Sequence, residues 1–208
     1  MTQETTPAVV EAQKEAKRSK LSRFYIQSGP LAAWTLIFSV LGAVLYALVL
    51  LIPMPYTMVS LFKLGLVPAY AIIAVTGAIR GPIAGFLTGY LGTIAHDLLV
   101  SGVVVAMTLN AAAWGMIGFI VGLASYDFVR GRSLAKLSAL SAVGIAVTIM
   151  LLALIALRVD VYATLALVVF TIIPLLTTGV PSVIRLAPLY ARVWHSFVAR
   201  FLPRALAQ

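Results

Sequence analysis

Six apolar runs, separated by short polar or proline-containing breaks, take up most of this 208-residue chain. A transmembrane helix needs about 20 predominantly apolar residues, and each run reaches or approaches that length. Pro53 and Pro55 end the first run, and Arg80, Gly81 and Pro82 separate the second from the third. We therefore predict an all-α membrane bundle of six transmembrane helices, over 31–52, 64–79, 82–100, 108–126, 138–157 and 162–182.

The composition supports an integral membrane protein. Hydrophobic residues make up 62% of the chain and charged residues 10%, against about 45–50% and about 25% in soluble domains. We expect residues 1–30 to be a polar, basic and partly disordered arm, and 31–184 to be the membrane domain. Residues 185–208 are basic and amphipathic, which predicts a helix on the inner membrane surface or against a cytoplasmic partner.

The basic residues predict the orientation. With six spans both termini lie on one side, and that side receives thirteen of the fifteen Lys and Arg residues, leaving Lys63 and Arg158 on the other. This positive-inside pattern predicts a multi-pass cell-membrane protein with cytoplasmic N- and C-termini. The basic charge then marks the inner face and implies lipid contact rather than a nucleic acid partner.

The third span carries a stripe of glycines with an ionisable residue at its end. At about 100° per residue, four glycines and His96 fall within about 80° of one another, whereas Asp97 lies about 100° further round. The glycines predict close helix packing. His96 and Asp97 are candidates to bind a solute from outside, or they lie at the wet end of the helix, and the angles predict that they do not pair. The glycines are Gly81, Gly85, Gly89 and Gly92.

Further candidate binding residues lie near the external side. Asn110 and Trp114 are one helical turn apart, and an amide beside an aromatic face suits a planar heterocyclic ligand. The alternative is a helix-capping Asn and an interfacial Trp. The external loops add four residues that either bind a ligand or are solvated: Tyr56, Arg158, Asp160 and Tyr162.

The sequence lacks the motifs typical of several kinds of enzyme and of ATP-binding proteins. The chain has no cysteine, no GxxxxGK[ST] phosphate loop and neither an HExxH nor a GxSxG motif. Six acidic residues leave few groups for a proton relay. We therefore expect no enzyme, no catalytic residue, no metal or cofactor, and no ATP-hydrolysing machinery within the chain itself.

The first span carries a stripe of small residues formed by Ser39, Ala43 and Ala47. Such a stripe allows close helix approach, either inside the bundle or with a partner. Together with this stripe, the segments "VPAYAIIAVTGAIRGPIAGFLTGYLGTIAHDLL" and "NAAAWGMIGFIVGL" resemble the substrate-binding S components of energy-coupling factor (ECF) transporters, particularly the riboflavin-type group. The resemblance covers roughly residues 38–125.

The resemblance implies a non-enzymatic subunit that captures a vitamin or related micronutrient from outside, with riboflavin-like compounds as candidates. It also implies two kinds of partner. One is a transmembrane coupling subunit that contacts the stripe of Ser39, Ala43 and Ala47, and the other is a pair of cytoplasmic ATPases. The loop 53–63 would then act as a lid. Two alternatives stay open at this point: a self-sufficient small-solute permease or channel, and a membrane scaffold protein that acts through its basic tail.

Overall fold

A computed structural model shows that the described part of the chain is helical apart from one small hairpin. Helix α1 (Pro30–Leu51) is followed by strands β1 (Thr57–Val59) and β2 (Phe62–Leu64), then by α2 (Pro68–Arg80), α3 (Pro82–Ser101), α4 (Thr108–Gly122), α5 (Gly131–Ala156) and α6 (Val180–Phe201). Two π-helical segments, Val168–Ile172 and Leu175–Gly179, lead into α6. The structure describes residues 30–52, 57–59, 62–64, 66–102, 108–158, 165–166 and 168–201.

Four helical segments are long and apolar enough to cross a membrane: Ala33–Leu51, Pro82–Ser101, Gly131–Ala156 and Val168–Phe197. The other two predicted spans are shorter than expected, because α2 has 13 residues and α4 has 15. At 1.5 Å per residue they extend about 20 Å, against about 30 Å of bilayer hydrocarbon. Each of the six predicted segments therefore contains helix in its described part, but only four of the described helical segments have the length of a span.

Helix α2 is short because it forms the centre of the bundle rather than its surface. Seven of its residues are buried, and they include the consecutive run from Ala71 to Val75. Helices α1, α3, α4 and α6 all pack against it. A helix that is apolar all round is stable when other helices cover most of its surface. The five remaining helices are arranged around α2 as a ring with an opening between α1 and α6, in the order α1, α3, α4, α5 and α6.

Glycine brings α3 and α4 into backbone contact. A Cβ atom added to Gly85 would lie closer than 3.0 Å to the Gly118 backbone, and one added to Gly89 would clash with Gly115. Gly92 packs instead against Ala43 and Tyr46 of α1. The glycine stripe predicted from the sequence therefore faces two neighbours, α4 along most of its length and α1 near its end.

A one-residue corner joins α2 to α3. Gly81 has a φ of 94° and its N–H donates to the Gly77 carbonyl at 2.8 Å, while Pro82 begins α3. This φ lies where residues with a Cβ are strained, so glycine suits the position. Gly122 of α4 packs directly on the corner. The corner therefore holds Arg80, the last residue of α2, in a fixed place.

Buried hydroxyl groups link the helices without leaving unpaired donors. Thr88 of α3 donates to the Ser39 carbonyl of α1 at 3.3 Å, and Thr148 of α5 donates to the Ala113 carbonyl of α4 at 2.8 Å. The N–H of Val67, just before α2, donates to the Ser182 hydroxyl of α6 at 2.6 Å. Such bonds between helices add stability where the surroundings are apolar.

The last helix differs from the prediction of a separate surface helix over 185–208. Residues through Phe201 continue the last predicted span, with Pro188 inside the helix. Val183, Ala187 and Ala191 are fully buried, whereas Arg185 and Arg192 are exposed. The face of α6 that carries these small apolar residues therefore packs inside the bundle. Before α6, the hydroxyls of Thr177 and Thr178 donate to carbonyls of their own helix next to Pro174.

The hairpin is a second difference, because the sequence predicts an all-α chain with a loop over 53–63. Strands β1 and β2 pair antiparallel, with Thr57 opposite Leu64 and Val59 opposite Phe62. Thr, Val and Phe favour extended backbone. Strand β2 lies beside the π-helical segment Leu175–Gly179.

Replacement of Gly118 by Ala tests the contact between α3 and α4. The new methyl group would collide with the Gly85 backbone, so we expect the folded state in detergent to lose about 1–3 kcal/mol. Gly131→Ala is the matched control, because nothing lies within 4 Å of that position. Thermal unfolding measures both. Unfolding of Gly118→Ala at the wild-type temperature would contradict the packing described.

Candidate functional site

Polar and aromatic side chains meet at one end of the bundle. Helices α1 and α3 finish there and α2 and α4 begin there; we call it the His96 end, and the opposite end, at the α2–α3 corner, the Arg80 end. Because α1 to α4 alternate in direction, residues distant in sequence come together. The polar cluster, as we define it, consists of Tyr46, Tyr70, Thr93, His96, Asp97 and Trp114.

Tyr46 is the buried centre of the polar cluster. Its side chain is 2% exposed, and the ring rests on Gly92. Its hydroxyl is hydrogen-bonded to the Thr93 side chain, and Tyr70 and Asp97 are close enough to interact with it electrostatically. The sequence predictions missed Tyr46. The available signal was a tyrosine within an aliphatic run, three residues beyond Ala43 and so on the same helix face.

His96 and Asp97 lie side by side, which corrects the prediction from helical angles. The His96 Nδ1 atom is 3.7 Å from the Asp97 Oδ1 atom. This separation is too long for a hydrogen bond but permits an ion pair when the imidazole is protonated. The prediction failed because rotation about the side-chain bonds brings the two ends together even though the Cα positions differ by about 100°. Both side chains are partly accessible, at 27% and 21%.

Trp114 stacks on Tyr70 rather than presenting two free faces. The ring centroids are 5.2 Å apart and the planes differ by 10°. Tyr70 also borders the π-helical segment, since a Cβ added to Gly179 would lie 3.5 Å from its ring. Trp114 and Asn110 are both half-buried and stand one turn apart on α4. The stack forms a broad aromatic wall beside the polar groups of α1 and α3.

The remaining predicted binding residues are not part of this cluster. Arg158 is exposed just beyond the end of α5, at the His96 end. Tyr56, Asp160 and Tyr162 lie outside the described residues. The structure therefore places His96 beside Asp97 and Asn110 one turn from Trp114. Tyr70 and Tyr46 link Trp114 to Asp97, and Thr93 joins them through Tyr46.

The small-residue stripe of α1 is buried inside the bundle. Ser39 is 0% exposed, Ala43 4% and Ala47 1%. Gly92 packs against Ala43, and Thr88 donates to the Ser39 carbonyl. This burial agrees with the internal-packing alternative and contradicts the partner contact that the resemblance implies for these three residues.

No group of three or more His, Cys, Asp or Glu that could hold a metal ion is present in the part of the chain that the structure describes. The chemistry of the cluster is therefore that of two hydroxyl-bearing rings, an indole, a threonine hydroxyl and an imidazole beside a carboxylate. These groups can hydrogen-bond, stack and bind either sign of charge.

Comparison with known proteins gives no assignment: no family model, curated protein or solved structure matches the chain.

Replacement of Ala43 by Leu tests the burial of the α1 stripe. The larger side chain would push α1 away from Gly92, so we expect a loss of about 1–3 kcal/mol of folding free energy and a lower unfolding temperature in detergent. Val44→Leu is the matched control, because Val44 is 47% exposed. Equal stability of the two variants would show that the stripe faces outward.

Proposed function

We propose that the protein is a membrane-embedded substrate-binding subunit of the ECF S-component type, which captures a vitamin-like solute for uptake driven by partner subunits. The observation that carries this proposal is the polar cluster at the His96 end of an otherwise apolar bundle. Buried and half-buried polar groups cost free energy in an apolar protein unless they are hydrogen-bonded to each other, and such groups usually have a role in function. Binding of a solute would explain why these polar groups lie together at the His96 end.

The chemistry of the cluster suits a small ligand with a planar ring and a polar end. The Tyr70–Trp114 stack offers an aromatic edge and face to a heterocycle, and Asn110 can both donate to it and accept from it. His96 and Asp97, which are partly accessible, would contact the polar end. A riboflavin-like compound has these features, and so do several other vitamins.

In this proposal the His96 end faces the outside and both termini are cytoplasmic. The Arg80 end carries Arg80, Arg130, Arg132 and Lys136, as the positive-inside rule requires of the inner face. The solute would reach the polar cluster from outside. The loop that contains β1 and β2 would cover it.

Transport would need partners, because the chain has no phosphate-binding loop. We propose a transmembrane coupling subunit and two cytoplasmic ATPases in this role. Since α3 already covers Ala43 and Ala47, the coupling subunit would contact an exposed face of α1 instead. That face consists of apolar residues four apart, each 47% to 50% exposed: Leu36, Val40, Val44 and Leu48.

Ligand binding to the purified protein tests the proposed site. We expect one compound of a vitamin panel that includes riboflavin to bind, and Trp114→Ala to weaken it about 2- to 12-fold, because an aromatic contact contributes about 0.5–1.5 kcal/mol. Trp34→Ala is the matched control, since Trp34 lies on α1 near the Arg80 end. Isothermal titration measures both. Failure of every vitamin to bind, or equal weakening by the two variants, would refute the site.

Uptake into proteoliposomes tests the need for partners. We expect no accumulation by the protein alone, even when the solute binds, because nothing couples binding to an energy source. Binding without uptake supports a subunit of a larger transporter. Uptake by the lone protein would favour the self-sufficient permease instead.

A further inference from the structure

The ring of helices around α2 is incomplete between α1 and α6. A cavity of about 520 Å³ lies there, with α2 as its floor and α1 and α6 as its walls. Ile72, Val75 and Ile79 of α2 line the floor. The walls meet where Phe38 of α1 contacts Trp194 of α6 edge to face, at 5.5 Å between ring centroids. We call this cavity the α1–α6 groove.

The groove opens to the outer surface of the bundle. Leu41 and Leu45 on the α1 side are 60% and 52% exposed, and Val193 and Phe197 on the α6 side are 60% and 49% exposed. Because α1 and α6 both belong to segments long and apolar enough to cross a membrane, this opening would face the lipid phase of a bilayer that they span. Hydrocarbon chains would therefore have direct access to an apolar channel.

A cation with an unsatisfied donor stands at one end of the groove. Arg80 lines it at the Arg80 end, and its guanidinium carbon lies 4.6 Å from the centre of the Phe38 ring. The Nε atom of Arg80 is buried and has no hydrogen-bond partner. A buried donor of this kind costs free energy unless an acceptor reaches it.

The described carboxylates cannot serve Arg80. Asp127 pairs with Arg130 at 3.1 Å. Asp97 lies fifteen residues along α3 from Pro82, or about 20 Å from the Arg80 end at 1.5 Å per residue. No carboxylate of the described residues therefore provides an acceptor for the Arg80 Nε atom.

We propose that the α1–α6 groove binds one anionic phospholipid, with the headgroup phosphate on Arg80 and an acyl chain along α2. A guanidinium group pairs with phosphate through charge-assisted hydrogen bonds. A zwitterionic lipid also carries a phosphate, but its headgroup includes a cation that Arg80 repels, so an anionic lipid is favoured. Trp194 lies at the same end, since it contacts Phe38 beneath the Arg80 guanidinium, and Tyr190 also lines the groove. Tyr and Trp are enriched where headgroups meet hydrocarbon. The volume lies within the roughly 300–1,000 Å³ of small-molecule pockets.

Native mass spectrometry of the detergent-purified protein tests the lipid site. We expect one phosphatidylglycerol to be retained in preference to phosphatidylcholine with the same acyl chains. Arg80→Gln should reduce the retention of phosphatidylglycerol about tenfold, because the variant loses a charge-assisted hydrogen bond. Arg132→Gln removes the same charge at an exposed position on α5 and is expected to retain the lipid. Equal retention by both variants, or of both lipids, would overturn the proposal.

A second variant keeps the test valid if Arg80→Gln does not fold. Val193→Trp fills the groove from an exposed position, so we expect a folded protein that loses the lipid. Leu189→Trp is its control, because Leu189 is also exposed on α6 but does not line the groove. The same spectra report oligomers: a dimer that Val193→Trp dissociates would mean that a second copy fills the groove and would overturn the proposal.

Discussion

The contact on which the rest of the structure depends is the backbone-to-backbone packing of α3 against α4. Gly85 and Gly118 lie so close that a methyl group on either would enter the other's backbone. Lipid is as apolar as the helices, so association must come from close packing and hydrogen bonds rather than from exclusion of water. Because glycine has no side chain, the backbones of α3 and α4 can touch. For the same reason the Tyr46 ring of α1 can pack directly on Gly92 of α3.

This close approach also explains the position of the polar cluster. Once α3 is fixed between α1 and α4, the ends of these helices place Tyr46, Asp97 and Trp114 around the first turn of α2. Tyr70 fills the space between them and stacks on Trp114. The cluster is therefore a product of helix order and packing distance, and not of a local sequence motif.

The sequence predicted much of this fold because its signals were local. Apolar runs and prolines located all six helical segments, and the glycine spacing identified the packing face of α3. Three features could not be settled from the sequence because they depend on neighbouring helices and side chains. The coverage of α2 allows it to be shorter than a span, the burial of Ala43 depends on which helix approaches it, and the pairing of His96 with Asp97 depends on side-chain rotation. Tyr46 was missed for the same reason, since its place in the polar cluster depends on a hydrogen bond to Thr93 on another helix.

The bundle has two kinds of helix contact, and they differ in how easily they can change. Where Gly85 of α3 meets Gly118 of α4 no side chain separates the backbones, so a shift of either helix meets the other at once. Between α1 and α6 the contact is made by the rings of Phe38 and Trp194 over the apolar floor of α2. Side chains can change rotamer at modest cost, whereas packed backbones cannot yield without separation of the helices. A change in the shape of this bundle therefore costs less at the α1–α6 groove than at the α3–α4 contact, which holds the polar cluster together.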